Sequence, residues 1–149
     1  MQAKNLFTPG PLTTSSSVKK AMLVDLGSRD EHFIELVRSI RERLLKLADV
    51  QKGSYEAIIM QGSGTFSLEA VVSSLMPPQG KLLALVNGAY GKRVVKIAQA
   101  LGIESIQIEF AENQPVNIER LQSALEEHSD IFMVSIAHCE TTTGIMNPV

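Results

Sequence analysis

"KLLALVNGAYGKRVVKIAQALGIESIQIEF", residues 81–110, contains one complete strand–helix–strand cycle. The unbroken apolar run from Leu82 to Val86 is the pattern of a strand covered on both faces, because a strand with one wet face alternates instead. "GKRVVKIAQALG" reads as a helix closed by Gly102, a residue that takes a left-handed C-terminal cap without a Cβ clash. "IESIQIEF" alternates apolar and polar residues, the period-two signature of a strand. Strands joined through a helix are parallel, so this one stretch selects a parallel sheet with helices on its faces.

The same cycle extends in both directions. Upstream, "EAIIM" at 56–60 predicts a short strand, and Phe66, Val71, Val72 and Leu75 recur at helical spacing over Thr65–Leu75. The prolines of "MPPQG" end that helix. Downstream, "NIERLQSALEEH" predicts a helix opened by Asn117, and "DIFMVSIA" a further strand. Nearer the start, Phe33, Val37, Ile40, Leu44 and Leu47 predict one buried stripe on a long helix over 30–50, with Arg38, Arg41, Glu42 and Lys46 opposite. "TTSSS" at 13–17 reads as a turn and helix cap. The expected fold is α/β, a three-layer α/β/α arrangement around a mostly parallel sheet. Residues 1–52 are expected to form an N-terminal segment with the long helix, and 53–149 a single structural unit.

Composition narrows the function. The 149 residues are 44% hydrophobic and 20% charged, enough to bury a core. A net charge of -2 with no tryptophan lacks the basic face of a nucleic-acid binder, so small molecules are the expected partners. The single Cys139 allows no internal disulfide, no apolar run is long enough for a bilayer, and no charged-then-apolar leader opens the chain. A cytoplasmic setting without membrane association is therefore expected.

In parallel sheets ligands gather at the loops beyond the carboxyl ends of strands, and three loops qualify. "QGSGT" (61–65) places Gly62 and Gly64 around Ser63 ahead of a helix, where the N–H groups of Ser63, Gly64 and Thr65 have no helical acceptor. That is a candidate anion cradle, to which the Ser63 and Thr65 hydroxyls could add donors; a plain tight turn capped by Thr65 is the structural alternative. A dinucleotide loop fits poorly, since its third glycine would fall on Ser67 and its acidic ribose ligand on Asn87. A Walker-type loop also fails, because Arg93 follows the only Gly-Lys pair and Val86 stands where the first glycine belongs. In "NGAYGKR" (87–93), Tyr90 is placed either to lie against a flat heteroaromatic ring or to close a helix onto the sheet. "HCETTTG" (138–144) concentrates polar groups that need partners. Zinc is disfavoured there, because the adjacent His138, Cys139 and Glu140 cannot easily face one ion, so no metal ligand is assigned.

Taken in order and spacing, "LFTPGPLTTSSSVKKAM", "SRDEHF", "QGSGTFSLEAVVSSL", "NGAYGKR" and "HCETTTGIMNP" resemble the class V, fold type I, pyridoxal-phosphate-dependent aminotransferases across essentially the whole chain. Within the class they look most similar to the branch that moves an amino group from 2-aminoethylphosphonate to pyruvate. Branches acting on alanine and glyoxylate, or on serine and pyruvate, are alternatives that the cofactor loops do not separate, and a non-catalytic phosphate-binding α/β domain is another. The resemblance implies pyridoxal 5'-phosphate as cofactor, its phosphate held by Ser63, Gly64 and Thr65, its ring stacked on Tyr90, and its 3-hydroxyl near Thr141. It places Thr8, Pro9, Gly10 and Arg29 near the substrate, assigns His138 and Glu140 to support of the loop, and implies a homodimer. In such enzymes the lysine that bonds the cofactor and the aspartate that protonates its ring nitrogen lie further along. The chain is therefore expected to be an N-terminal portion, with no catalytic residue assigned within it. A folded portion of this kind is expected to self-associate or need a partner, because its apolar edges are left uncovered.

Overall fold

The computed structural model describes residues 4–50 and 53–149. The chain divides into two compact units, Met1–Gln61 and Gly62–Val149.

The second unit is organised by β1 (Lys81–Val86), whose residues from Leu82 to Val86 are all buried. It is the middle strand of a parallel sheet with β2 (Ser105–Glu109) and β3 (Ile131–Ile136) on either side, so Leu83 faces Ile106 on one flank and Val134 on the other. Leu82 packs with Val94 and Ala98 of α4 (Ala89–Ala100) and with Leu68 of α3 (Gly64–Leu75). Leu83 and Leu85 point the other way, onto Ile108, Val116 and the Leu121 and Ala124 side chains of α5 (Ile118–Glu127). Helices thus cover both faces, which is the expected α/β layering and the reason β1 carries no polar side chain between Leu82 and Val86.

Local signals set the helix ends. Ser63 and Asn117 cap α3 and α5 by accepting from the Phe66 and Arg120 N–H groups at 3.3 and 2.8 Å. Gly102, at φ +70°, closes α4: its N–H reaches Gln99 O at 3.1 Å and the Ile103 N–H reaches Ala98 O at 2.9 Å, the paired bonds of a Schellman turn. Met76 leaves α3 in extended backbone, as a residue before proline must. After β3, the short strands β4 (Cys139–Glu140) and β5 (Ile145–Met146) pair antiparallel around Gly144, at φ +77°. At the amino end of the sheet Lys81 bridges Glu104 at 2.7 Å and Asp130 at 2.9 Å, tying the starts of all three strands.

The first unit holds α1 (Ser16–Ala21), capped by Ser15, and α2 (Glu31–Leu47), capped by Asp30. Two expectations are corrected here. The predicted stripe on α2 is not buried: Phe33 and Val37 are half-buried, Ile40 and Leu44 are exposed, and Leu47 is 83% exposed, while Leu45 is the one buried residue of the helix. An amphipathic stripe is covered only where another surface meets it, and helical spacing does not supply that surface. The predicted strand at 56–60 also does not form, and Ile58 is 80% exposed. A strand exists only when a neighbour takes its backbone groups. Here the Ala57 carbonyl accepts from Arg41 Nε at 2.9 Å, and Arg41 also pairs with Glu56.

Candidate functional site

Two helix starts in the second unit, those of α3 and α4, are built in opposite ways. At α3, Ser63 and not Thr65 is the cap, so the turn reading in which Thr65 caps is corrected. The first-turn N–H groups of Gly64 and Thr65 have no intrahelical acceptor, a property of any helix start. Ser63 and Gly64 are exposed, and a Cβ placed on Gly64 would meet nothing within 4 Å, so this helix start is open to solvent. At Gly62 a Cβ would come within 2.7 Å of Phe66 Cδ1, which explains a glycine where the chain folds back over the helix.

The start of α4 is filled. Its cap position is Gly88, which has no side chain to offer; the carboxylate of Glu140, from β4, takes its place. Glu140 is fully buried, and its two oxygens accept from the N–H groups of Tyr90 at 3.1 Å and Gly91 at 2.9 Å. A Cβ on Gly88 would sit 2.5 Å from Glu140 Cδ, so glycine makes room for this acid. Gly91 permits a second close approach: a Cβ there would lie 3.0 Å from Val86 Cα, so its absence lets α4 seat on β1. Beside them Asn87 and Asn147, both buried, exchange amide hydrogen bonds at 2.8 and 3.0 Å. Asn87 further donates to Gln114 O, and Asn147 donates to Ala137 O and accepts from the Val116 N–H. The loops after β1 and β3 are thereby locked together, and among the described residues no buried side-chain nitrogen or oxygen lacks a partner.

Arg93 links the two helix starts. Its Nη1 donates to Thr65 Oγ1 at 3.0 Å, and its guanidinium carbon lies 5.1 Å from the centre of the Tyr90 ring. Thr141 Oγ1 in turn donates to Tyr90 Oη at 3.3 Å. Three residues singled out in the sequence, Thr65, Tyr90 and Thr141, therefore lie on one connected path with Ser63 and Gly64 at its head. Arg93 and the capping role of Glu140 were not read from sequence. The spacing of Tyr90 and Arg93, three residues apart on one helix, was the available signal for the first; Glu140 had none. Cys139 is exposed while Glu140 is buried, as successive residues of a strand face opposite ways. In the first unit Thr8, Pro9 and Gly10 lie in an exposed bend where Thr8 Oγ1 donates to Pro11 O, and Arg29 is exposed just before the Asp30 cap.

The arrangement has the parts of an anion site beside an aromatic ring, and comparison with known proteins gives it a family. Residues 15–149 match the family described as aminotransferase class V. The chain belongs to the class V aminotransferases. Over 97% of its length it is 47% identical to the 2-aminoethylphosphonate--pyruvate transaminase of Bacillus cytotoxicus and 46% identical to that of Bacillus cereus. It spans 40% of the length of each of these curated relatives. Among solved structures, the pyridoxamine-pyruvate aminotransferase of Mesorhizobium loti superposes with a TM-score of 0.85 at 26% identity, over 98% of this chain and 37% of that one. The alanine--glyoxylate aminotransferase of Nostoc sp. superposes at 0.81 with 28% identity, over 99% of this chain and 41% of that one. This class V chain is thus a partial one relative to its relatives, and its parallel sheet is theirs. No helix among the described residues is long and apolar enough to cross a membrane.

Proposed function

We propose that this chain supplies the cofactor-phosphate side of a pyridoxal 5'-phosphate-dependent transaminase that converts 2-aminoethylphosphonate and pyruvate to phosphonoacetaldehyde and L-alanine. The observation that carries the substrate assignment is the 47% identity to a 2-aminoethylphosphonate--pyruvate transaminase over nearly the whole chain. The cofactor assignment rests on fit: open space at Gly64, two unsatisfied N–H donors, two hydroxyls and the Arg93 charge suit a phosphate monoester.

When bound, the cofactor supplies an electron sink for carbon–hydrogen cleavage in the amino donor. This chain's residues would hold and orient it. The Gly64 and Thr65 N–H groups would bind the phosphate oxygens at the positive end of α3. The Ser63 and Thr65 oxygens already accept hydrogen bonds, from Phe66 and Arg93, so their own O–H groups are free to turn toward the phosphate. Tyr90, 38% exposed, offers ring surface to a flat heterocycle, and Thr141 directs a hydroxyl to the same edge. Thr8, Pro9, Gly10 and Arg29 are assigned to the substrate side. Proton movement at the donor carbon belongs to the whole protein, which we take to be a homodimer in a reducing, cytoplasmic setting.

The test is an absorbance titration of the intact protein with pyridoxal phosphate, alongside turnover of 2-aminoethylphosphonate, serine and alanine with pyruvate. Saturable binding weakened by Thr65→Ala, with 2-aminoethylphosphonate the preferred donor, is the expected result. Preference for serine or alanine would move the protein to another branch of the family, and absence of binding would end the cofactor assignment.

A further inference from the structure

We propose that Glu140 is a positioning residue that acts as a built-in anion: its charge, and not only its bulk, fills the start of α4 and holds Tyr90 and Thr141 in place. The proposal rests on the cofactor reading above for its consequence, but on geometry for its existence.

Two helix starts approach each other across the Thr65–Arg93 hydrogen bond, and each has first-turn N–H groups without a helical acceptor, with the positive end of a helix behind them. Left alike, both would attract a negative group. At α4 the place is already taken. The carboxylate of Glu140 uses one oxygen for Tyr90 and the other for Gly91, and no part of the residue reaches solvent. Gly88 has the one side chain small enough to admit it. The backbone of the same residue anchors the turn that follows, because Glu140 O accepts from the Gly144 N–H at 2.7 Å and from the Thr143 N–H at 3.1 Å.

Glu140 therefore sits at a junction. Through its side chain it orders the backbone of Tyr90, and through its own backbone the turn that carries Thr141, whose hydroxyl meets the Tyr90 hydroxyl. An external anion is then directed to the only one of the two helix starts that remains open, at Ser63, Gly64 and Thr65. A neutral amide at position 140 would keep the volume but turn an N–H donor toward one of the two backbone donors, leaving it without an acceptor.

The test uses the intact protein with Glu140→Gln and Glu140→Ala, followed by amide hydrogen exchange at Tyr90 and Gly91 and by pyridoxal phosphate titration. Glu140→Gln is expected to lower protection of these amides by at least about tenfold and to weaken cofactor binding by a similar factor, in line with loss of a charge-assisted bond. In Glu140→Ala, acetate is expected to restore protection and binding, whereas acetamide, of similar size but neutral, does not. Wild-type protection in Glu140→Gln, or equal rescue by acetamide, would overturn the proposal. If Glu140→Ala does not fold, the glutamine variant decides alone. Should the wild type fail to bind pyridoxal phosphate, the functional reading falls, while exchange and acetate rescue still decide the role of Glu140.

Discussion

The starts of α3 and α4 are assembled from similar residues, glycine beside small or aromatic side chains, yet one is open and the other sealed. At α3 the cap comes from Ser63 within the local sequence, Ser63 and Gly64 are exposed, and a Cβ at Gly64 would meet no atom within 4 Å. At α4 the cap comes from Glu140 on another strand, and the space before Gly88 is occupied. A helix start is an anion site only where the fold has not already provided the anion.

The largest expected effect breaks the sealed end. Gly88→Ala drives a methyl group into the Glu140 carboxylate and should cost about 3 kcal/mol in urea unfolding, through overpacking plus a displaced cap. A loss below about 0.5 kcal/mol would show that Glu140 does not seat as described. Next, Ser63→Ala removes the local cap of α3 and should cost about 1 kcal/mol. Gly64→Ala sharpens the contrast in the other direction, because the new methyl meets no protein atom. Stability should hold or rise by up to about 1 kcal/mol while pyridoxal phosphate binds more weakly. Unchanged binding in that variant would remove the open start of α3 from the site.

The smallest effect lies at the opposite end of the sheet, far from either helix start. Hydrogen bonds to Glu104 and Asp130 push Lys81 from its ordinary 10.5 up to about 12, and the bond from Lys81 holds Asp130 below its ordinary 3.8. A raised lysine contributes stability that is complete below 10.5 and lost as pH climbs through about 12. A lowered carboxylate contributes above 3.8 and loses its share as pH falls through its depressed value. The difference in Tm between wild type and Lys81→Met should therefore stay constant from about pH 5 to about pH 9 and shrink in stronger acid. It should also be smaller than the effect of Ser63→Ala, since the Glu104 and Asp130 side chains are 68% and 47% exposed to solvent.

What a residue's near neighbours decide was readable in the sequence. The apolar run of β1 could only be a strand covered on both faces, Asn117 could only open α5 where the helical spacing began, and Gly102 closed α4 at the predicted place. "GSGT", with its glycines and hydroxyls, was legible as a helix start because its cap and its unpaired N–H groups come from its own stretch of chain. The misses share a cause. "EAIIM" has strand composition but no ladder partner among the described residues, and the stripe on α2 has the right period but little covering it. Asn87, read only as the wrong residue for a ribose ligand, proved to be one half of a buried amide pair whose other half lies 60 positions away. Glu140 and Tyr90 are 50 positions apart. Their pairing depends on which loops the parallel sheet delivers to one place, and burial then makes the bond obligatory, because a carboxylate without solvent must find donors. The sequence by itself determined the strand–helix alternation and the run of glycines and hydroxyls at the start of α3. Only the tertiary structure decided which helix start would stay open, since the anion that closes the other is carried on a strand distant in the chain.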